Sequence, residues 1–469
     1  MSQYTKLGKN VALITLGNFA SKIMSFFLIP LYTAVLTTSE YGTADLMTTT
    51  INLLSPFLTL LISEAVMRFA LDQGKDKKQV FSIGLVITVF GFLAMLICSP
   101  LVLLSKNIRP FFLYFILYYF FTTLHTLVSQ FVKGIEKVAV YSLSGVLQTL
   151  CFIGCNILFL LVIKIGVNGY LLSLIISNLF AVLILWIGGG LSNYIVSFRK
   201  IDINLFKEML KYSIPMIPNS LSWWISNSSD KYITTFFCGV AVTGIYSVSQ
   251  RIPSLFSTVS TIFMGAWQIS AIEDFGSEKS RKFYSNIYNQ YSVFNIIVVS
   301  FLIWICRILA KILFSNDFYV GWKYVPVLLF AYLFFALSSF LGTIYTSAKK
   351  TNMLFISTIV AAVINIVLNI ILIPIFEAQG AAIATFFSYF IVWLVRLLDT
   401  RKIIKLDINI KSDILSYLLI ILQIIITLVD FQNSFIISGF ILLLIVILNR
   451  TFLKQIINYG ITLIKGRVS

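Results

Sequence analysis

Charge is what this sequence is short of. Only 11% of its 469 residues are Asp, Glu, Lys or Arg, whereas 59% are hydrophobic. Too few polar groups remain to cover a water-soluble globule of this length, so the chain belongs in a bilayer. Histidine is nearly absent. His125 stands alone, which excludes a histidine-built metal site and leaves a histidine-based acyl-transfer site a single residue to work with. The 5 cysteines, Cys98, Cys151, Cys155, Cys238 and Cys306, are odd in number, lack metal-ligand spacing and fall in apolar stretches, as expected of buried free thiols. Long polar loops are missing too, so no soluble catalytic module is expected on either face.

What fills the chain instead is a series of apolar runs long enough to cross a membrane, near residues 10–36, 43–70, 79–105, 110–132, 139–163, 166–188, 212–238, 242–270, 283–314, 324–348, 351–376, 379–399, 412–430 and 434–453. They predict an all-α integral membrane protein of about fourteen helices, because unbroken apolar runs satisfy their backbone internally whereas barrel strands would alternate. The net charge of +17 is dispersed among these spans and does not form a nucleic-acid patch. It does give an orientation. Lys75, Lys77, Lys78, Lys133, Lys137, Arg199, Lys200, Lys349, Lys350, Arg396 and Arg401 fall on the side of both termini, with Lys6, Lys9, Lys454, Lys465 and Arg467. Lys106, Arg109, Lys164, Lys311 and Lys323 take the other side, so both termini are expected in the cytoplasm.

The stretch from Leu210 to Pro253 reads as a second beginning. Shifted by about 202 positions, Tyr41-Gly42 falls on Thr243-Gly244 and Phe81 on Phe283. Further on, at an offset near 211, Asn168-Gly169 falls on Gln379-Gly380, and Ser173 and Ser177 fall on Ala384 and Ser388, small residues four apart that allow close helix approach. Two parallel six-helix lobes are therefore expected, at 1–190 and 212–400. A basic, amphipathic linker at 191–211 would lie on the anionic leaflet. Residues 401–469 would add two further helices and a tail.

Within the spans, five basic residues remain: Lys22, Arg68, Lys231, Arg251 and Arg307. Lys22 is about twelve residues into the first helix, too deep for its stem to reach the interface, and an intramembrane charge costs at least about 2.5 to 3.5 kcal/mol. It is expected to face protein or water. Arg251 lies close to Pro253, which frees a carbonyl and kinks the helix. Asp230 and Lys231 are adjacent on one helix and point about 100° apart, so each needs another partner; Lys22 or Arg251 is the candidate for Asp230, as a bridge or gate or as a structural pair. Glu64 and Arg68 are four apart and suited to an internal ion pair. Asp45, near a helix end, reads as interfacial. His125 reads as a hydrogen-bonded packing residue before it reads as a proton carrier.

Several of these pieces resemble one family. Ser39-Glu40-Tyr41-Gly42, the paired prolines of Leu210 to Lys231 with Asn227-Ser228-Ser229-Asp230-Lys231, Gly244-Ile245-Tyr246-Ser247 and Gly265-Ala266-Trp267 are similar to the bacterial polysaccharide, or oligosaccharidyl-lipid, flippases. That family (O-antigen or capsule repeat-unit transporters) belongs to a superfamily with multidrug exporters and peptidoglycan-precursor flippases. The resemblance covers about residues 1–400. It implies two lobes around a cationic cavity and alternating access that carries undecaprenyl-diphosphate-linked oligosaccharide to the outer leaflet, with no cofactor and no enzymatic step. Lys22, Arg251, Arg68 and Lys231 would then hold the diphosphate, and Asp230, Glu64 and Asp45 would gate or couple. A guanidinium suits paired phosphate oxygens. Membrane lipids and the polysaccharide polymerase machinery are the expected neighbours, and drive comes from the membrane potential or from a proton or sodium gradient. The rivals are a cation-coupled drug exporter, for which a lysine in mid-membrane is awkward, and a membrane polymerase or acyltransferase, which lacks the expected outer loop.

Overall fold

Prolines, glycines and capping side chains punctuate the apolar runs into helices. We describe them in a computed structural model that covers residues 21–450 apart from 73, 274, 276–279, 349, 351 and 430. The predicted opening turns at 10–20 and the tail from 451, with Lys6, Lys9, Lys454, Lys465 and Arg467, lie outside the described residues. So do Lys279 and Lys349.

The first lobe begins with α1 (Ser21–Val35), interrupted at Phe27 and Leu28 just ahead of Pro30. A capping box opens α2 (Thr38–Leu58): Thr37 N–H donates to Glu40 Oε2 at 2.8 Å, and Glu40 N–H donates back to Thr37 Oγ1 at 3.2 Å. That accounts for the Ser39-Glu40-Tyr41-Gly42 motif in physical terms. It starts a helix, and Tyr41 packs against Tyr32 and Tyr170. Two left-handed residues, Leu60 and Leu61, break the chain after Pro56, and α3 (Ile62–Ala70) leaves at 63° to α2. Then follow α4 (Lys77–Leu103), α5 (Phe112–Gly134), α6 (Val138–Asn156, prolonged by a π turn) and α7 (Gly166–Gly189).

Asp202 caps the linker helix α8 (Ile203–Ser213). Its buried Leu205 and Met209 join a core cluster with Val66, Phe69, Phe81 and Phe131, so the apolar face that the sequence offered to lipid meets the lobe instead. The linker is pinned to α4. Gln79 donates to Lys200 O at 2.9 Å and accepts from Asp202 N–H at 3.0 Å, and Ser82 Oγ accepts from Val196 N–H at 2.7 Å. Lys75 adds an exposed ion pair to Glu208 at 2.6 Å.

The second set runs α9 (Ile217–Cys238), α10 (Val240–Ser249), α11 (Arg251–Glu273), α12 (Ser280–Trp304), α13 (Cys306–Leu313) and α14 (Val325–Ser347). It continues with α15 (Asn352–Asp399), two arms that meet at left-handed Glu377, and with the appended α16 (Ile410–Val429) and α17 (Ser434–Leu448). Pro253 lies in the first turn of α11, where its missing N–H costs little, and the helix break falls just before it at Gln250. The chain divides into two compact units, Met1–Tyr232 and Ile233–Ser469, with the division inside α9.

Within each unit the last two helices of the six fold back on each other through a glycine. A Cβ on Gly169 would meet Phe159 Cβ at 2.8 Å, and one on Gly380 would collide with the Leu372 carbonyl. The repeated Asn168-Gly169 and Gln379-Gly380 are therefore close-approach positions. The pinning device recurs as well. The segment after α15 is held to α12 by Asp407 N–H donating to Ser285 Oγ at 2.9 Å and by Asn289 Nδ2 donating to Asp407 O at 2.8 Å, with Arg281 paired to Asp407.

Among the described residues eight helices are long and apolar enough to cross a membrane, or nine if α2 and α3 form one span; Ser21–Val35 and Ser434–Leu448 are shorter apolar helices. One of the eight, Asn352–Lys402, contains both arms of α15. No strand occurs among the described residues. This is a multi-pass, all-helical membrane protein. The helices α9, dense in Ser, Thr and Asn, and α11, dense in Ser and Thr, are not among the apolar eight.

Candidate functional site

Three contacts hold α9 against α2 in the first unit. Trp224 Nε1 donates to the Thr49 carbonyl at 3.0 Å, the hydroxyls of Tyr232 and Thr50 are hydrogen-bonded at 2.5 Å, and Lys231 Nζ pairs with Asp45 Oδ2 at 2.7 Å. The ion pair is largely shielded, with side-chain exposures of 14% and 11%. Trp224 and Tyr232 pack ring to ring on the same helix. Asp230 is buried, and its Oδ1 accepts from the backbone N–H of Lys231 at 2.9 Å. A carboxylate, an ammonium and a second carboxylate thus share one polar seam inside a membrane bundle. Charges in such surroundings persist only when matched.

Asp45 had read as interfacial from the sequence; in the structure it is the partner of Lys231. Spacing along one helix shows what can pair within it but not which neighbouring helix supplies a better partner. The same lesson applies on α3, where Glu64 Oε1 accepts from Gln130 Nε2 of α5 at 2.9 Å while Arg68, four residues on, lies exposed. Lys22 is on the exposed face of α1, and Arg251 is half-buried at the start of α11, in the second unit. Of the predicted site residues, Asp45, Asp230 and Lys231 come together in the first unit. Glu64 and Arg68 belong to α3 in that unit.

Two arginines have structural occupations. Arg307 Nη2 donates to the Thr427 carbonyl at 2.6 Å, and its guanidinium stands over the Trp322 ring at 4.2 Å. Arg396, counted from the sequence among the basic groups of the terminal side, is buried inside the second unit. It donates to Ser357 Oγ at 2.9 Å, to the Ser338 carbonyl at 3.0 Å and to Thr358 Oγ1 at 3.2 Å. Its position four residues before the basic cluster of Thr400–Lys402 hid it. The small residues Ser357 and Ser338 that receive it were the available signal. The aromatic run Phe111–Phe121 has two faces: Phe115, Tyr118 and Tyr119 are buried, and Leu113 and Leu117 are exposed.

At the lysine-rich end of the first unit a cavity of about 480 Å³ is lined by Lys78, Lys137, Gly189, Gly190, Asn193 and Tyr194. Lys137 Nζ already donates to the carbonyl of Gly189 at 2.9 Å, the cation-at-the-C-terminus arrangement that a helix end favours. Among the described residues no group of three or more His, Cys, Asp or Glu side chains is arranged to hold a metal ion.

Residues 7–268 match the family described as polysaccharide biosynthesis protein. An uncharacterized membrane protein of Methanocaldococcus jannaschii is 23% identical over 304 residues, which is 61% of this chain and 58% of that protein. The match thus spans little more than half the length of that relative. Among solved structures, the lipid II flippase MurJ in an inward closed conformation is similar over 95% of this chain and all of that one, with a TM-score of 0.73 at 17% identity. An inward-facing multidrug resistance MATE family transporter of the MOP superfamily is similar over 83% of this chain and 94% of its own, with a TM-score of 0.66 at 16% identity.

Proposed function

Because this chain belongs to the polysaccharide biosynthesis protein family, we propose that it is a flippase that moves undecaprenyl-diphosphate-linked oligosaccharide from the cytoplasmic to the outer leaflet, serving a cell-surface polysaccharide such as O-antigen or capsule. The observation that carries the reading is the shielded Asp45–Lys231 pair between α2 and α9. A diphosphate headgroup is rejected by hydrocarbon, and a path through it needs cations that are themselves held without substrate. In this mechanism Lys231 exchanges the carboxylate of Asp45 for phosphate oxygens, and Asp230 keeps the neighbouring backbone in place. Lys22, Arg68 and Arg251 supply further positive charge, and Glu64 acts with Asp45 as gate or coupling group. The prenyl tail stays in lipid throughout.

Direction follows from the field. Moving an anion outward across an inside-negative membrane gains about 2.3 kcal/mol per charge per 100 mV, and an emptied cationic site is drawn back inward. The lysine-rich end then faces the cytoplasm of a bacterial cell, with both termini on that side, and the outer leaflet product passes to the polymerase machinery.

The test is the amount and leaflet position of diphosphate-linked sugar in cells lacking the protein, complemented with wild type, Lys22→Ala or Lys231→Gln. Precursor retained on the cytoplasmic leaflet, and uncleared by either variant at normal expression, is the expected result. Precursor that reaches the outer leaflet but stays short would point to a polymerase. Normal precursor distribution with altered drug sensitivity would favour the exporter reading, which the fold shared with the MATE transporter also accommodates.

A further inference from the structure

The appended helix α16 brings a carboxyl group into the core of the second unit. Asp413 lies one turn into α16 and is buried, 5% exposed. Its Oδ2 has no hydrogen-bond partner. Two more buried oxygens nearby are also without partners: Ser292 Oγ on α12, and the hydroxyl of Tyr417, one turn further along α16. Ser292 stands next to both Asp413 and Tyr417. Tyr288 faces the carboxyl as well, with its hydroxyl accepting from Trp393 Nε1 at 2.9 Å.

Among the described residues no cation is paired with this carboxyl. The elements packed against α16 are α12, α14 and α17, with Trp393 of the second arm of α15 against Tyr417. On that arm Arg396 is engaged with Ser357 and the Ser338 carbonyl, and Asp399 with Lys402 and Tyr345. Over Ser434–Asn449 and Val325–Ser347 the sequence contains no Asp, Glu, Lys, Arg or His. On α12, Arg281 is engaged with Asp407 at the exposed end of the helix and Lys282 is exposed. Lys411, on α16 itself, is exposed. Tyr288 and Tyr417 are the titratable groups that face Asp413. The backbone N–H of Asp413 is already bonded to Asn409 O, so the carboxyl is not the cap of its own helix.

We propose that Asp413, Ser292 and Tyr417 form a proton-binding site of the second unit, built where α16 meets α12. One carboxyl oxygen and two hydroxyls are too few ligands for a sodium ion, which needs several more oxygens, whereas they suit a proton. The neutral acid donates to one hydroxyl, and the ionised acid accepts from both. Loss of the proton therefore reverses the hydrogen bonds across the α12–α16 seam without moving either backbone. The same α12 carries Ser285 and Asn289, which grip residues 407–409, so a change at Asp413 is felt at both ends of the connection into α16. As a coupling site this rests on the transport reading; as a proton site it does not.

Difference infrared spectroscopy of the purified protein, recorded against pH, reads the carbonyl stretch of a protonated carboxylic acid. A band that disappears on raising the pH and is missing from Asp413→Asn is expected. Ser292→Ala, which keeps the acid but removes one donor to its ionised form, should move the midpoint to higher pH by about one unit. In vesicles, translocation by Asp413→Asn should no longer respond to a pH gradient. A band unchanged in Asp413→Asn, or one insensitive to both pH and Ser292→Ala, would overturn the site. A pH-gradient response that survives in Asp413→Asn would overturn the coupling. A wild type that titrates through Asp413 yet moves no lipid-linked sugar would sink the flippase reading and leave the proton site standing.

Discussion

The helices α5 and α14 occupy the same place in the two halves of the repeat, 23 residues each, and live in different surroundings. In the apolar window of α5, counted from Arg109, 33% of residues are buried; in that of α14 the share is 78%. Both are rich in Phe and Tyr. On α14, Phe330 and Phe334 pack against Phe386 on the second arm of α15 and against Tyr417 on α16. In the first unit Phe120 meets Phe92, while Leu113 and Leu117 are exposed. Part of the difference comes from the appended pair, since α16 and α17 pack on α12 and Tyr417 reaches α14. A duplicated lobe thus acquires a second shell on one side only, and that shell buries Asp413. In the first unit the polar seam is instead made by α2 and α9.

The comparison is broken most forcefully at that seam. Lys231→Met takes the ammonium away from the shielded Asp45 carboxylate and should cost about 1.5 to 3 kcal/mol of stability, the worth of a charge-assisted hydrogen bond, read as a drop in the thermal midpoint in detergent. The double variant with Asp45→Asn should recover most of the midpoint and none of the translocation. Equal recovery of both would reduce the pair to scaffolding. Next come the two fold-back glycines. Gly380→Ala pushes against a backbone carbonyl and should cost about 1 to 3 kcal/mol. Gly169→Ala, which meets a side-chain carbon first, should cost less, and a reversed order in a thermal-shift series would mean that the two hairpins are not equivalent. Trp224→Phe keeps an aromatic side chain but loses the indole N–H and its bond to Thr49 O, a hydrogen-bond loss of about 1 kcal/mol. The smallest effect belongs to the linker. Glu208 raises the Lys75 ammonium above the usual lysine value. Its contribution is therefore present below the ordinary lysine pKa and is lost as pH rises through the raised one. Protection of the linker from protease should hold to about pH 10 and weaken above it.

The all-helical membrane fold and the fold-back glycines were readable because apolar runs, and a repeat of glycine and small residues, leave a periodic mark on a sequence. Gly169 and Gly380 could be aligned before their contacts were known. The partners of charged groups were less accessible. Lys231 and Asp45 are 186 positions apart, and no local rule selects among the carboxylates that a lysine can reach in a bundle. Glu64 illustrates the converse, since ideal spacing to Arg68 was outweighed by Gln130 on a neighbouring helix. Arg396 and Asp413 stand near the ends of spans, where a charge normally faces water. Their burial follows from how the second arm of α15 and the appended α16 pack, which a count of apolar residues does not contain.

The fold-back hairpins also constrain how the chain is made. The tips between α6 and α7 and between the two arms of α15 are turns around Lys164 and Glu377, both left-handed, with scarcely any loop between the arms. Arms joined so tightly are suited to entering the bilayer together as one helical hairpin, in which the cost of a charged tip, about 2.5 to 3.5 kcal/mol, is set against the apolar residues of both arms.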